Sequence, residues 1–200
     1  MGRPAKFSEG QILDAATHLL AQRPARAVTV GSIAEELGAP TGSLYHRFAS
    51  RDLLLATLWT RIAARSQDGF LTALSQPDIE QAALDAALHL PRWSRHHREE
   101  ATVMLLHRHR DLAESWPYEL GAELERQASV VIAALRAYAR RRFGRAGSPE
   151  LRCLNFALLD TPYAAVRRYL LVGRVPPLQI DELIAEVCTC VLDRSSVPRN

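Results

Sequence analysis

One heptapeptide, Thr41-Gly42-Ser43-Leu44-Tyr45-His46-Arg47, concentrates short hydrogen-bonding side chains around a single apolar residue. On a helix, Leu44 and Phe48 fall on one face, which leaves Thr41, Gly42, Ser43, Tyr45, His46 and Arg47 on the other. Glycine is an expensive choice inside an ordinary helix. It makes sense where a backbone must come close to another surface, so Gly42 points to recognition by contact.

Other groups invite chemistry and do not sustain it. His96-His97 are adjacent and His107-x-His109 lie two apart, so neither pair shares a helix face. Zinc sites on helices prefer the i, i+4 spacing. Cys188-x-Cys190 diverge in the same way, and three cysteines make no disulfide framework. Arg140, Arg141, Arg142 and Arg145 cluster at a helix C-terminus, where cations are favoured. No nucleophile–base–acid spacing and no Gly-rich phosphate loop is present, so an enzyme is not expected and no cofactor is called for.

The 200 residues carry a formal charge of +3 and are 48% apolar, enough for a buried core. Charge itself gives no argument for a polyanionic partner. Residues 1–55 hold six Lys/Arg against five Asp/Glu, a surplus of one. No apolar run is long enough to cross a membrane. The segment MGRPAKFSEGQ lacks the apolar centre of a signal peptide, so a cytoplasmic, reduced protein with no membrane partner is expected.

The elements that must position the heptapeptide are all helical. Ser8 and Gln11 form a capping box ahead of Ile12, Ala16, Leu19 and Leu20, which predicts a helix over 9–22, stopped by Pro24. Thr29 caps a second helix with the stripe Val30, Ile33, Ala34 and Leu37, ended by Gly38. Thr41 is expected to cap a third, running to Phe48. Ser50 caps a fourth over about 51–74. Further helices are expected over 79–90 (ended or kinked by Pro91), 99–112, 117–143, 149–172 (Ser148 as cap, kinked at Pro162) and 180–192. The fold class is all-α, with about nine helices. Residues 1–50 are expected to form one domain of three helices, 51–74 a linking helix, and 51–200 a larger helical domain.

Two short helices joined by a Gly-containing turn make a helix-turn-helix, whose second helix enters the DNA major groove. Over about residues 8–60 the chain also resembles the TetR family of transcriptional regulators. That family's signature runs I-A-x-x-x-G, then G-x-(L/I)-Y-x-(H/Y)-F, then S-K-(E/D)-x-L. It is met at Ile33-Ala34, Gly38, Gly42, Leu44-Tyr45, Phe48 and Ser50, with Asp52 and Leu53 following. Arg51 stands where lysine is usual. The resemblance implies phosphate contacts from Thr29, Tyr45 and Arg51, and base-edge contacts from Thr41, Ser43 and His46. It places Pro40 and Gly42 in van der Waals contact, gives Arg47 either role, and sends Arg3, with Lys6, into the minor groove.

The resemblance further implies a homodimer on a palindromic double-stranded operator, acting as a ligand-responsive repressor. The interface expected of the last two helices comprises Leu151, Leu154, Leu158, Ala165, Tyr169, Ile184, Val187 and Val191. An unknown small-molecule effector is expected among the middle helices, with Trp93, Met104, Leu105, His107, Trp116, Tyr118 and Phe156 as candidate pocket residues. Two competing readings are a small helical metal-binding enzyme built on the histidine-rich middle, and an interaction protein whose helical cluster does not bind DNA.

Overall fold

The computed structural model describes residues 7–107 and 118–195. Among them every regular element is helical. The first helix, α1 (Glu9–Gln22), starts at a complete capping box. The Gln11 N–H donates to Ser8 Oγ at 3.3 Å, and the Ser8 N–H donates to Gln11 Oε1 at 2.8 Å. A 3₁₀ turn (Ala25–Ala27) leads to α2 (Val30–Leu37), which begins at a second such box between Thr29 and Ser32. Gly38, at φ 60°, ends α2 in the left-handed conformation that a side chain would strain.

The third helix, α3 (Thr41–Tyr45), is shorter than its pattern suggests. The Arg47 and Phe48 amides both donate to the Leu44 carbonyl at 2.9 Å, so the ladder tightens into a turn before Phe48. Thr41 is a helical residue and not the cap. Pro40 occupies the cap position, and its carbonyl accepts from Ser43 Oγ at 2.7 Å. The helix α4 (Arg51–Leu74) then runs for 24 residues.

Next come α5 (Ile79–His96), α6 (Arg98–Leu106), α7 (Tyr118–Phe143) and α8 (Ser148–Asn155). A π turn (Phe156–Asp160), α9 (Thr161–Leu170) and α10 (Gln179–Ser195) complete the described chain. Two expectations are corrected here. Pro91 neither ends nor interrupts α5, which continues through it to His96. Gly147, not Ser148, is the cap of α8, and its amide donates to Glu150 Oε2 at 3.0 Å. Near Pro162 the ladder widens, and the Thr161 amide reaches back to the Phe156 carbonyl. Proline brings no N–H, so a π turn just ahead of it is a way to keep the neighbouring carbonyls satisfied.

The chain divides into two compact units. The first gathers Met1–Ala63 with Glu99–Leu124, and the second gathers Ala64–Arg98 with Glu125–Asn200. In the first, α1 packs on α2 and α2 on α3. Ile12, Leu19, Leu20, Ile33, Leu44, Leu54 and Leu58 are among its fully buried side chains. Residues of α6 and its C-terminal end join this unit by polar contacts to α1. His18 Nδ1 lies 2.7 Å from Glu99 Oε1, and His107 Nε2 lies 3.1 Å from the Leu20 carbonyl near the end of α1.

In the second unit, α5 packs on α9, α10 and the π turn. Its stripe of Ala82, Ala83, Ala86 and Ala87 lets partner backbones come close, and Cys188 Sγ sits 3.9 Å from the Ala83 carbonyl. Arg95 on α5 reaches Asp181 of α10 at 3.1 Å, and Arg141 on α7 donates to the Leu74 carbonyl at the end of α4.

In this unit α4 and α5 meet at Gly69 and His89. A Cβ at Gly69 would overlap the His89 ring, within 2.7 Å of Nδ1. The ring cannot simply swing away, because its Nε2 lies 2.7 Å from the Ser66 carbonyl. Gly69→Ala is therefore expected to destabilise the second unit by about 1–2 kcal/mol, overpacking outweighing the gain in helix propensity. In a His89→Ala background the same change should stabilise by up to about 1 kcal/mol, since only the propensity gain remains. Urea denaturation of the four proteins checks this reversal of sign.

Burial pushes the His89 pKa below its usual 6.5, assisted by the Arg92 charge and opposed by the Ser66 hydrogen bond. The unfolded chain thus binds the proton more readily than the folded one. Stability from neutral His89 is complete above about pH 6.5 and declines as pH falls toward the depressed folded value. Unfolding free energy measured from pH 8 to 5 should show this decline in the wild type. The decline should be smaller in His89→Ala.

Candidate nucleic-acid interface

Every polar residue expected on the outer face of the third helix is exposed: Thr41, Gly42, Ser43, Tyr45, His46 and Arg47. Leu44 is 0% and Phe48 4% exposed, so both are buried. The sorting follows from the short helix itself. Two apolar anchors one turn apart pin one side down, and the rest must face outward. Tyr45 is 52% exposed, a large aromatic ring held out in solvent next to His46. Around Gly42 nothing lies within 4 Å of where a Cβ would stand, so no packing inside the chain requires a glycine there.

Pro40 and Thr29 are also exposed. Thr29 Oγ1 accepts from the Ser32 amide at 3.1 Å, which leaves its hydroxyl proton to donate elsewhere. Arg3 and Lys6 lie outside the described residues.

Arg51 stands apart. Its Nε donates to the Val28 carbonyl at 2.7 Å and one terminal nitrogen donates to the Ala25 carbonyl at 2.6 Å. The other terminal nitrogen lies 3.6 Å from Asp52 Oδ1. The side chain expected to face outward as a phosphate contact is instead folded against the turn between α1 and α2. Nothing in the local sequence signals this orientation; the only hint is that arginine replaces the usual lysine.

The candidate pocket residues are distributed over both units. Trp93 and Phe156 belong to the second unit, and Met104, Leu105, His107 and Tyr118 to the first. Trp93 and Leu105 are buried core, Met104 is half-buried, and His107 is occupied at the end of α1. Tyr118 and Phe156 are exposed, and Trp116 lies outside the described residues. The eight residues expected at a dimer interface also divide. Leu154, Leu158 and Ile184 are at most 2% exposed in the chain's own core, while Leu151, Ala165, Tyr169, Val187 and Val191 are half-buried. The outward large apolar side chains among the described residues of this region are Phe156, Tyr163, Leu171, Val172, Val175, Leu178 and Leu183, of which only Phe156 was singled out by the sequence, as a pocket residue. Periodicity finds an apolar stripe but does not say which neighbour it meets.

Among the described residues no group of three or more His, Cys, Asp or Glu is placed to hold a metal ion. No described helix is long and apolar enough to cross a membrane. His97 stacks on Trp93 with ring centroids 5.6 Å apart. Cys188 is buried, which pushes its thiol up to about 11, and Cys190 is exposed.

Comparison with known proteins agrees with the geometry. Residues 12–58 match the family model described as bacterial regulatory proteins, tetR family. A putative tetR family transcription regulator from Shewanella sp. PV-4 superposes with a TM-score of 0.71 at 17% identity, covering 98% of this chain and 100% of that one. The fatty acid degradation regulator FadR from Bacillus halodurans gives 0.70 at 17% identity, with 96% of each chain covered. FadR from Bacillus subtilis, solved in complex with stearoyl-CoA, gives 0.65 at 14% identity, covering 96% and 100%. No curated protein sequence matches. The matched segment runs from within α1 to the first turns of α4 and contains the exposed face of residues 41–47, and the fold likeness extends over nearly the entire chain. Residues 12–58 thus resemble the tetR family of bacterial regulatory proteins, and nearly the whole chain shares its fold with solved regulators of that family.

Proposed function

We propose that the chain is a ligand-responsive repressor that binds a palindromic operator as a homodimer. The observation that carries this reading is the sorting of residues 41–48, α3 and the turn that follows it: six polar or small residues outward, with Leu44 and Phe48 buried beneath them. Such a face fits the major groove, where Ser and Thr hydroxyls and an imidazole meet base-edge donors and acceptors. Thr41, Ser43 and His46 read base edges, and Pro40 and Gly42 permit the close approach. Tyr45 and Thr29 hold phosphates, Arg47 reaches either, and Arg3 with Lys6 reaches the minor groove. Residues 1–50 form the DNA-binding domain, α4 links it onward, and 51–200 serve effector binding and dimerisation.

With so few base-reading side chains per head, one head cannot specify a site. Two half-sites about 34–36 Å apart supply the rest, which calls for a dimer. The outward apolar side chains on the π turn, α9, the following turn and α10 are the surface this reading assigns to it. The effector is an unidentified small molecule. FadR from Bacillus subtilis carries stearoyl-CoA in its solved complex, so a long-chain acyl-CoA is the first compound to try. An effector would lower operator affinity by about 1–3 kcal/mol through coupling between the sites. A cytoplasmic location fits this role.

The test is footprinting on the DNA flanking the gene. Two protected half-sites related by a two-fold axis would support the reading. No protection at any flanking sequence, with folded protein at micromolar concentration, would oppose it.

A further inference from the structure

We infer that Arg51 is a positioning residue for DNA recognition, a staple across the neck of the helix-turn-helix, and not a phosphate contact. This rests on the reading that α3 meets DNA. The two helices of the motif lie in sequence between Val28 and Arg51, the first residue of α4. Every residue assigned to the major-groove side of the contact, from Thr29 to Arg47, lies between those two points. The Arg51 guanidinium joins them, because its Nε and one terminal nitrogen hold the Val28 and Ala25 carbonyls at 2.7 and 2.6 Å.

Both ends of the staple are fixed. On one side, the Ala25 and Val28 side chains are buried at 8% and 0% exposure, and the Val28 amide bonds back to the Ala25 carbonyl at 3.1 Å. On the other side, Ser50 Oγ accepts from the Leu53 amide at 3.1 Å, and Leu54 and Leu55 are fully buried. The planar guanidinium fork can span two carbonyls at once, which an ammonium on a flexible stem does poorly. Arginine at this position therefore does something that lysine, the usual residue in the signature, would not. The next residue after Val28 is Thr29, so the staple also fixes the start of α2, where a phosphate contact was assigned.

The experiment measures operator affinity against salt for the wild type, Arg51→Lys and Arg51→Met, well below each protein's melting temperature. A phosphate contact and a staple predict opposite patterns. As a staple, Arg51→Lys weakens binding about tenfold despite its retained charge. Arg51→Met weakens it at least as much, and the slope of log K against log salt stays at the wild-type value in both. Amide exchange at Val28 should quicken in the lysine variant while its melting temperature stays within a few degrees. A purely global effect on stability would leave the affinity of the folded protein untouched. The inference is overturned if Arg51→Lys binds like the wild type, or if a variant without the charge loses about 0.9 from the slope per protomer. Should Arg51→Met fail to fold, Arg51→Lys decides alone. Absence of wild-type binding to any flanking DNA would instead remove the reading on which the staple rests.

Discussion

Phe48→Ala should destabilise the first unit by about 3–5 kcal/mol, a large share of the stability a domain usually has. Phe48 is 4% exposed at the point where α3 gives way to α4, and with Leu44 it is the anchor of the reading helix. Removing the ring leaves a cavity beneath a five-residue helix with no side-chain cap at its start. A helix that short has little stability of its own, so tertiary packing holds it. The expected result is a lower urea midpoint for the first unit, with amide exchange in α2 and α3 accelerated well ahead of that in α5. Leu44→Ala should behave alike, at about 2–5 kcal/mol. Unchanged exchange in α3 would mean that the helix is held by something other than these two anchors.

The second large effect is functional and leaves stability alone. Tyr45 and His46 are exposed and take no part in the core. Replacing both with alanine should change unfolding free energy by no more than about 0.5 kcal/mol, as surface substitutions usually do. Operator affinity should nevertheless fall steeply. A base-edge contact of the His46 kind is worth about 1–3 kcal/mol, and a two-headed complex loses it twice. The single variants separate the roles. His46→Ala relaxes preference at one base pair of each half-site, whereas Tyr45→Ala weakens all sequences alike. Residues 1–55 are near charge balance, so the prediction rests on the placement of these side chains and not on bulk charge.

These two predictions concern parts that the sequence displays well. Ser8 with Gln11, Thr29 and Gly38 are local devices; the first starts α1, and the other two start and stop α2. The inward pair Leu44 and Phe48 was legible for the same reason. What was not legible depends on partners distant in the chain. Pro91 reads as a break, yet it sits buried in α5, in the unit where α9 and α10 pack on that helix. The stripe of Leu154, Leu158 and Ile184 looks like an interface until the second unit folds around it. The reach of Arg51 to carbonyls 23 and 26 residues away has no one-dimensional signature. Local chemistry fixes element ends, whereas the orientation of long side chains waits for tertiary structure.

The decisive measurement is a titration of DNA flanking the gene with wild-type protein and with Tyr45→Ala/His46→Ala, both shown to be folded by their melting curves. Tight, saturable wild-type binding that the double variant loses by at least a hundredfold is the expected result. Equal binding by the two proteins would contradict the assignment of α3 as the face that reads DNA.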